Sequence, residues 1–306
     1  MAKVAYIFPG QGSQYVGMGK DLAEQSAAAR AIFMQADEIL GVPLSKICFD
    51  GPEQELRQTK NTQPAIFLHS MVLLQMMEQR DAQMAAGHSL GEYSALVAAG
   101  AMTFEDALRL VRLRGELMQR AGEEQKGTMA AIVGLAPEIV AAVCSAASAA
   151  GIVQPANFNS PGQIVISGSV PGVQKAVELA KAKGAKLARE LPVSGAFHSP
   201  LMQSAKDRLR EKIGATPVRD AVFPVYSNVT ARKVQKAEEI RTLLLQQLTS
   251  AVQWEESMRA MIADGAATFV EIGPGKVLQG LLKRIDSSVQ VIGIDTFNDV
   301  EKLAHV

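Results

Sequence analysis

The segment Gly87-His88-Ser89-Leu90-Gly91-Glu92 constrains this chain more than any other, because an apolar lead-in, Met84-Ala85-Ala86, runs into G-x-S-x-G and a helix-like pattern follows. Strand, tight turn and helix in that order make a nucleophile elbow. The glycines allow a turn too tight for a Cβ, so Ser89 can stand at its apex with Oγ exposed. The turn's backbone N–H groups and the new helix N-terminus favour developing negative charge. Ser89 is therefore the candidate nucleophile. The same residues also fit a plain turn whose serine bonds its own backbone, so the rest of the chain has to decide.

At 306 residues the chain is longer than a single core serves well, so a main domain with a smaller inserted or appended one is expected, with a cleft between them. Lysine plus arginine balances aspartate plus glutamate at 31 each and no basic block stands out, which argues against a nucleic-acid partner. The apolar run Val4 to Phe8 ends at Pro9-Gly10, too short for a signal core or a membrane span, and the alanine-rich stretch from Met129 to Val153 is broken by Pro137 and Glu138. A soluble, cytoplasmic protein without a membrane partner is expected, with monomer as the default. Cys48 and Cys144 are far apart and read as reduced core thiols. His69, His88, His198 and His305 show no metal-ligand spacing, and Gly273-Pro274-Gly275-Lys276 lacks the register of a phosphate loop, so neither a metal nor a bound cofactor is expected.

The alternation of elements predicts a parallel α/β sheet. A strand at Val4 to Phe8 leads through the loop Pro9 to Gln14 into a helix from Asp21 to Leu40; Tyr15 occupies the third glycine position of a dinucleotide fingerprint, which speaks against a Rossmann site. Helices are expected at Pro64 to Gln79, Leu90 to Ala99 and, capped by Thr103, Phe104 to Arg120. From 127 to 195 the order changes to strand (Thr128 to Leu135), helix (Pro137 to Ala150), strands (Val153 to Phe158 and Gln163 to Ser167), helix (Val173 to Lys183) and strand (Ala185 to Leu191). That β-α-β-β-α-β order is the ferredoxin-like motif, and it reads as a small inserted domain. Residues 1–126 and 196–306 form the main domain, which resumes with helices at Pro200 to Ile213, Ala237 to Leu248 and Glu255 to Asp264. Its later strands fall at Val222 to Ser227, Ala267 to Ile272 and up to Asp295.

A serine hydroxyl needs a base within hydrogen-bond reach. His88 adjoins Ser89, but side chains diverge on a sharp turn; His69 lies in an apolar helical run and His305 in the tail. His198, in Val193-Ser194-Gly195-Ala196-Phe197-His198-Ser199-Pro200, sits on a loop at the re-entry from the small domain, where catalytic groups tend to be mounted. It is the preferred base, although a loop histidine capping the helix at Pro200 is equally consistent with the residues alone. Asp207, Asp220, Asp264 and Asp295 are indistinguishable as a third triad member. Arg109 and Arg112 read as solvated helix residues. Arg114, followed by Gly115, reads as a cleft residue whose planar fork can hold a carboxylate.

Taken together, Phe8-Pro9-Gly10-Gln11-Gly12-Ser13-Gln14, the Ser89 segment, Arg114-Gly115-Glu116-Leu117-Met118-Gln119 and Gly195-Ala196-Phe197-His198-Ser199 resemble the malonyl-CoA:acyl carrier protein transacylases. Ala156-Asn157-Phe158-Asn159-Ser160-Pro161-Gly162-Gln163 and Glu271-Ile272-Gly273-Pro274-Gly275 resemble them too. The resemblance implies an α/β-hydrolase-like large domain with a ferredoxin-like insertion. It also implies malonyl transfer from malonyl-CoA to the phosphopantetheine thiol of an acidic, transiently bound acyl carrier protein, in fatty-acid or polyketide synthesis. In these terms Ser89 is acylated, His198 is its base, and the N–H groups of Gln11 and Leu90 form the oxyanion hole. Arg114 binds the malonyl carboxylate, and Met118, Phe197 and His88 contribute to the substrate site. A main-chain carbonyl near Gln247 orients the histidine, which accounts for the missing third acid. An aromatic at Phe197 goes with malonyl over methylmalonyl selection. Ser250-Ala251 departs from the Asn-Pro common in the family before Val-x-Trp. A serine hydrolase that clears acyl groups from carrier proteins uses the same elbow and histidine and is the alternative.

Overall fold

The computed structural model describes residues 2–78, 81–193 and 195–304; Gln79, Ser194 and His305 of the readings above lie outside them. Five strands pair in parallel: β1 (Lys3–Phe8), β2 (Met84–Gly87), β7 (Val225–Tyr226), β9 (Ala266–Ile272) and β10 (Gln290–Ile294). With β8 (Lys233–Val234) the sheet order is β10-β9-β1-β2-β7-β8, which sets the elbow strand β2 inside the sheet. β8 runs antiparallel to β7, so the sheet is not wholly parallel, and β7 spans only two residues of the expected Val222 to Ser227.

Successive side chains of a strand point to opposite faces, and β1 divides accordingly. Tyr6 and Phe8 join the core on one face, with Phe33, Phe67 and Leu96, whereas Ala5 and Ile7 join the core on the other, with Trp254, Met258 and Phe269. Both faces are covered by helices, which is why β1 and β2 read as continuous apolar runs.

A second sheet is antiparallel, in the order β4-β5-β3-β6, from β3 (Gly127–Val133), β4 (Val153–Ser160), β5 (Gln163–Ser169) and β6 (Leu187–Glu190). Helices Pro137–Ala147 and Val170–Ala182 pack on one of its faces through Val140, Val143, Val173 and Ala176, giving a ferredoxin-like layer. Its strand β4 is tied to the larger unit through the loop before Trp254: Val252 N–H donates to Ala156 O at 2.8 Å and Phe158 N–H to Val252 O at 2.9 Å. Ala251, where the family commonly has proline, thus precedes a strand-like bridge to Asn157.

Helices differ from expectation where tertiary packing overrides local pattern. The helix expected from Asp21 to Leu40 is two, Lys20–Gln25 and Ala27–Leu40, because Ser26 is extended and its side chain caps the second at Ala29 N. Helix Thr59–Met76 starts before Pro64 and holds it inside. Proline leaves the carbonyl four residues earlier without its helical donor, and Arg112 Nη1 donates to that carbonyl, Lys60 O, at 3.0 Å. Arg112 also pairs with Glu116 and is therefore a packing residue and not a free surface cation. Gly115 likewise serves helix packing: a Cβ there would lie 2.8 Å from Thr59 O. Helices Leu44–Asp50, Val277–Ile285 and Phe297–Ala304 were not anticipated. No helix among the described residues is long and apolar enough to cross a membrane.

Candidate active site

β2 ends at Gly87 and helix Gly91–Ala98 begins four residues later, with Ser89 between them at φ 51°, a left-handed conformation rare for a residue with a side chain. The flanking glycines are dictated by contact. A Cβ on Gly87 would sit 1.8 Å from the Gly91 carbonyl carbon, and one on Gly91 would sit 2.1 Å from Phe8 O. The turn doubles back on itself and presses against the end of β1. Asn228, just past β7, clamps it from behind: its Oδ1 accepts the Ser89 N–H at 2.7 Å and its Nδ2 donates to Gly87 O at 2.7 Å.

His198 reaches the serine across a separation of 109 residues, with Nε2 2.8 Å from Ser89 Oγ. Its Nδ1 is 2.9 Å from the Gln247 carbonyl, which can only accept, so Nδ1 carries the proton and Nε2 offers its lone pair to the serine hydroxyl. The imidazole is buried, and burial, followed by the Arg114 charge, pulls its pKa down to about 3 against the opposing pull of the Gln247 carbonyl. It therefore stands neutral at pH 7. His198 itself has φ 58°, and Gln154 Nε2 on β4 donates to its carbonyl at 3.0 Å. Capping of the following turn falls to Ser199, whose Oγ accepts Leu201 N–H at 3.3 Å. The four anonymous aspartates all lie elsewhere: Asp207 with Arg210, Asp220 with Lys236, Asp264 with Tyr226 and Asp295 with His69.

Arg114 on helix Phe104–Glu124 is fully buried. Its Nη2 donates to Ser89 Oγ at 3.0 Å and to Gln247 Oε1 at 2.8 Å, and its Nη1 to Gln63 Oε1 at 2.7 Å. None of these partners is a carboxylate. Burial lowers its pKa, with Tyr93, whose ring centroid is 5.5 Å away, and Glu92 acting against that shift.

Ser89 and His198 open into a cavity of about 270 Å³ between the two sheets, which Gln11, Met118, Phe197 and His88 also line. Among the described residues, the N–H groups of Gln11 and Leu90 make no intramolecular hydrogen bond, leaving two donors free beside the nucleophile. His88 is anchored: its Nε2 lies 2.9 Å from Asn159 Oδ1, and its ring packs 5.5 Å from that of Trp254. Burial depresses its pKa, so it lines the site as a neutral group.

Sequence reasoning did not single out Asn228, Gln63, Gln154, Glu92 or the cavity wall from Val277, Leu278 and Leu281. Only Glu92 carried a signal: it is the sole charged residue between Met84 and Thr103.

Set beside known proteins, residues 5–296 match the acyl transferase domain family. The malonyl CoA-acyl carrier protein transacylase of Bacillus subtilis is 47% identical over 304 residues, spanning 98% of this chain and 96% of its own. That of Haemophilus influenzae is 42% identical, spanning 99% of each. Among solved structures, the malonyl CoA-acyl carrier protein transacylase of Coxiella burnetii superposes with a TM-score of 0.95 at 39% identity, over 99% of this chain and 96% of its own. A malonyl-transacylase in complex with its type II PKS acyl-carrier protein superposes with a TM-score of 0.94 at 40% identity, over 98% of each chain. The chain belongs to the acyl transferase family and, within it, to the malonyl CoA-acyl carrier protein transacylases.

Proposed function

We propose that this chain transfers a malonyl group from malonyl-CoA to the phosphopantetheine thiol of an acyl carrier protein through a malonyl-Ser89 ester. The observation that carries this reading is the buried Arg114 guanidinium, 3.0 Å from Ser89 Oγ and without a carboxylate among its partners. A buried cation hydrogen-bonded only to neutral groups is costly, Glu92 offsetting that cost through its charge but not as a direct partner, and an acyl donor that ends in a carboxylate supplies such a partner.

With the malonyl carboxylate on Arg114, Ser89 Oγ attacks the thioester carbonyl as its proton passes to His198 Nε2. The resulting imidazolium keeps its Nδ1–H on the Gln247 carbonyl. The oxyanion meets the N–H groups of Gln11 and Leu90, each worth roughly 3 kcal/mol in the transition state. Collapse breaks the C–S bond, and the proton on Nε2 goes to the departing CoA thiolate. In the second half the carrier's thiol gives its proton to Nε2 and attacks the ester carbonyl, and Nε2 returns that proton to Ser89 Oγ as the C–O bond breaks. The kinetics are ping-pong.

Met118 and Phe197 shape the acyl pocket in this reading, and His88 forms part of its wall. Residues 1–126 and 196–306 act as one folding unit and 127–195 as the insert that closes the cleft. A single chain carries the whole machinery, so a monomer suffices, and no resident cofactor enters the scheme. Two unpaired, buried thiols accord with a reducing compartment, and we assign the chain to the cytoplasm.

Intact-protein mass spectrometry tests the scheme. Malonyl-CoA should add one malonyl group to the wild-type chain and none to Ser89→Ala, and holo carrier protein should remove it and gain its mass. An adduct lost to water equally fast with and without the carrier would make the chain a hydrolase.

A further inference from the structure

One buried charge beside the nucleophile takes no part in the scheme above. Glu92, on the first turn of helix Gly91–Ala98, is only 2% exposed. Its Oε2 accepts from Gln247 Nε2 at 2.6 Å and from Asn228 N at 3.3 Å. Both donors also hold Ser89: Gln247 Nε2 donates to Ser89 O at 2.9 Å, and Asn228 Oδ1 accepts the Ser89 N–H.

These contacts determine which way the Gln247 amide faces. A primary amide has two N–H donors, and here both are spent, one on the Glu92 carboxylate and one on Ser89 O. The amide oxygen then points to the opposite side, where it accepts from Arg114 Nη2 at 2.8 Å. Turned over, the amide would set its NH2 against the guanidinium, donor on donor, and its oxygen against a carboxylate.

We infer that Glu92 is a positioning residue for carboxyacyl selection: it locks the Gln247 amide in the orientation that presents an oxygen to Arg114, and so fixes the guanidinium that receives the donor's carboxylate. This rests on the assignment of Arg114 to the malonyl carboxylate. A carboxyl suits the role because it always offers an acceptor oxygen, and one that binds a donor more strongly than a neutral group when ionised. Burial pushes the Glu92 carboxyl up to about 7, and the hydrogen bonds from Gln247 and Asn228 together with the Arg114 charge hold it from rising further. Even when protonated it keeps an oxygen able to accept.

The test compares the rates at which malonyl-CoA and acetyl-CoA acylate Ser89 in the full chain, read by intact mass. Wild type should favour malonyl-CoA. Glu92→Met, which keeps the bulk and accepts nothing, should lower that preference about tenfold, the scale of one hydrogen bond to a charged group. Glu92→Gln, which retains an acceptor oxygen, should hold the preference within about threefold of wild type, since a neutral acceptor bonds somewhat more weakly. Equal losses for both donors in Glu92→Met, or an equal fall in preference for Gln and Met, would overturn the proposal.

If Glu92→Met does not fold, Gln247→Met removes the amide that Glu92 orients and should lower the preference, and Glu92→Gln added to that chain should change it no further. An unchanged preference in Gln247→Met, or a further fall in the double variant, would overturn the proposal. A wild-type chain without preference for malonyl-CoA overturns the Arg114 assignment and this proposal with it, whereas preference in the wild type with uniform losses in the variants overturns the proposal alone.

Discussion

The side chain of Asn228 accepts the backbone N–H of Ser89 at 2.7 Å and returns a donor to Gly87 O at 2.7 Å, so one amide spans the elbow from a position 139 residues away. Because the turn holds Ser89 at φ 51°, its unpaired N–H and C=O groups need partners that no regular element supplies. Asn228→Ala leaves two buried backbone groups unmet and should cost about 2 to 3 kcal/mol. That corresponds to a Tm lower by roughly 5 °C for a chain of this size, with slower Ser89 acylation. Asn228→Asp keeps the acceptor for Ser89 but sets a second acceptor against Gly87 O and buries a carboxyl beside Glu92, so in calorimetry it should be no more stable than the alanine variant. An unchanged Tm in the alanine variant would show that the clamp carries no weight.

The two elbow glycines should be intolerant of a single carbon. A Cβ on Gly91 meets Phe8 O at 2.1 Å, and neither atom belongs to a side chain that can rotate away. Gly91→Ala must lift the helix from β1, and Gln11 follows Phe8 by three residues, so nucleophile and oxyanion donor separate. A misplacement near 1 Å costs about a hundredfold in rate, which stopped-flow acylation can read. Gly280, inside helix Val277–Ile285 with nothing within 4 Å of an added Cβ, is the contrasting site. Gly280→Ala should raise stability by about 0.5 to 1 kcal/mol. Equal behaviour of the two variants would contradict the packing described here.

Ser89, His198 and Arg114 were legible because each sits in a local pattern with its own chemistry: a glycine-flanked serine, a loop histidine at a domain junction, an arginine beside a helix glycine. Their meeting point was not readable from spacing. Asn228, Gln63 and Gln154 are ordinary polar residues in their own segments and acquire a role only through partners more than forty residues away. The fold was legible where strands are buried on both faces and read as continuous apolar runs, as in β1 and the first half of β5. Helix Val277–Ile285 escaped because Gly273-Pro274-Gly275-Lys276 marks a loop and Gly280 weakens the helical pattern behind it. Helix Thr59–Met76 is buried almost all round, so it has no polar face to reveal its period or to carry it back past Pro64.

The depressed pKa of His198 predicts an unusual acid limb. With its folded value near 3 against an ordinary 6.5, the imidazole stays neutral and able to accept a proton well below pH 6. For acylation by malonyl-CoA, kcat/KM reports the free enzyme and should stay within about twofold from pH 7.5 down to 5.5. An unshifted imidazole would lose about nine-tenths of its neutral form at pH 5.5. The sign for stability is separate: between about 3 and 6.5 the unfolded chain binds the proton that folded His198 refuses, so this residue's contribution falls as pH falls through that window. Glu92, raised to about 7, binds a proton in the folded state that the unfolded chain releases above 4.5, and acts in the opposite sense. Thermal unfolding therefore mixes the two, and the rate is the cleaner readout. A limb with its midpoint near 6.5 that persists in Glu92→Gln would mean that His198 is hydrated and not buried as found.

Phe197 offers a test of the acyl pocket that leaves the nucleophile in place. The ring lines the cavity immediately before His198 and is itself backed by Gly195, where a Cβ would lie 2.9 Å from the ring edge. It is 5% exposed, so it can yield little to an added methyl on the acyl chain without disturbing the loop that carries the base. Phe197→Val removes aromatic volume on the cavity side and should narrow the preference for malonyl-CoA over methylmalonyl-CoA by about tenfold, the lower end of what one methyl group decides in a fitted pocket. The same truncation leaves unfilled space and should lower stability by about 1 to 3 kcal/mol, so both donors are best compared below the onset of unfolding. Competition between the two donors for Ser89, quenched early and resolved by the mass difference of one CH2, gives the ratio directly. A folded Phe197→Val chain that discriminates as the wild type does would move the selecting contact away from this ring, to Met118 or to the wall at Leu278.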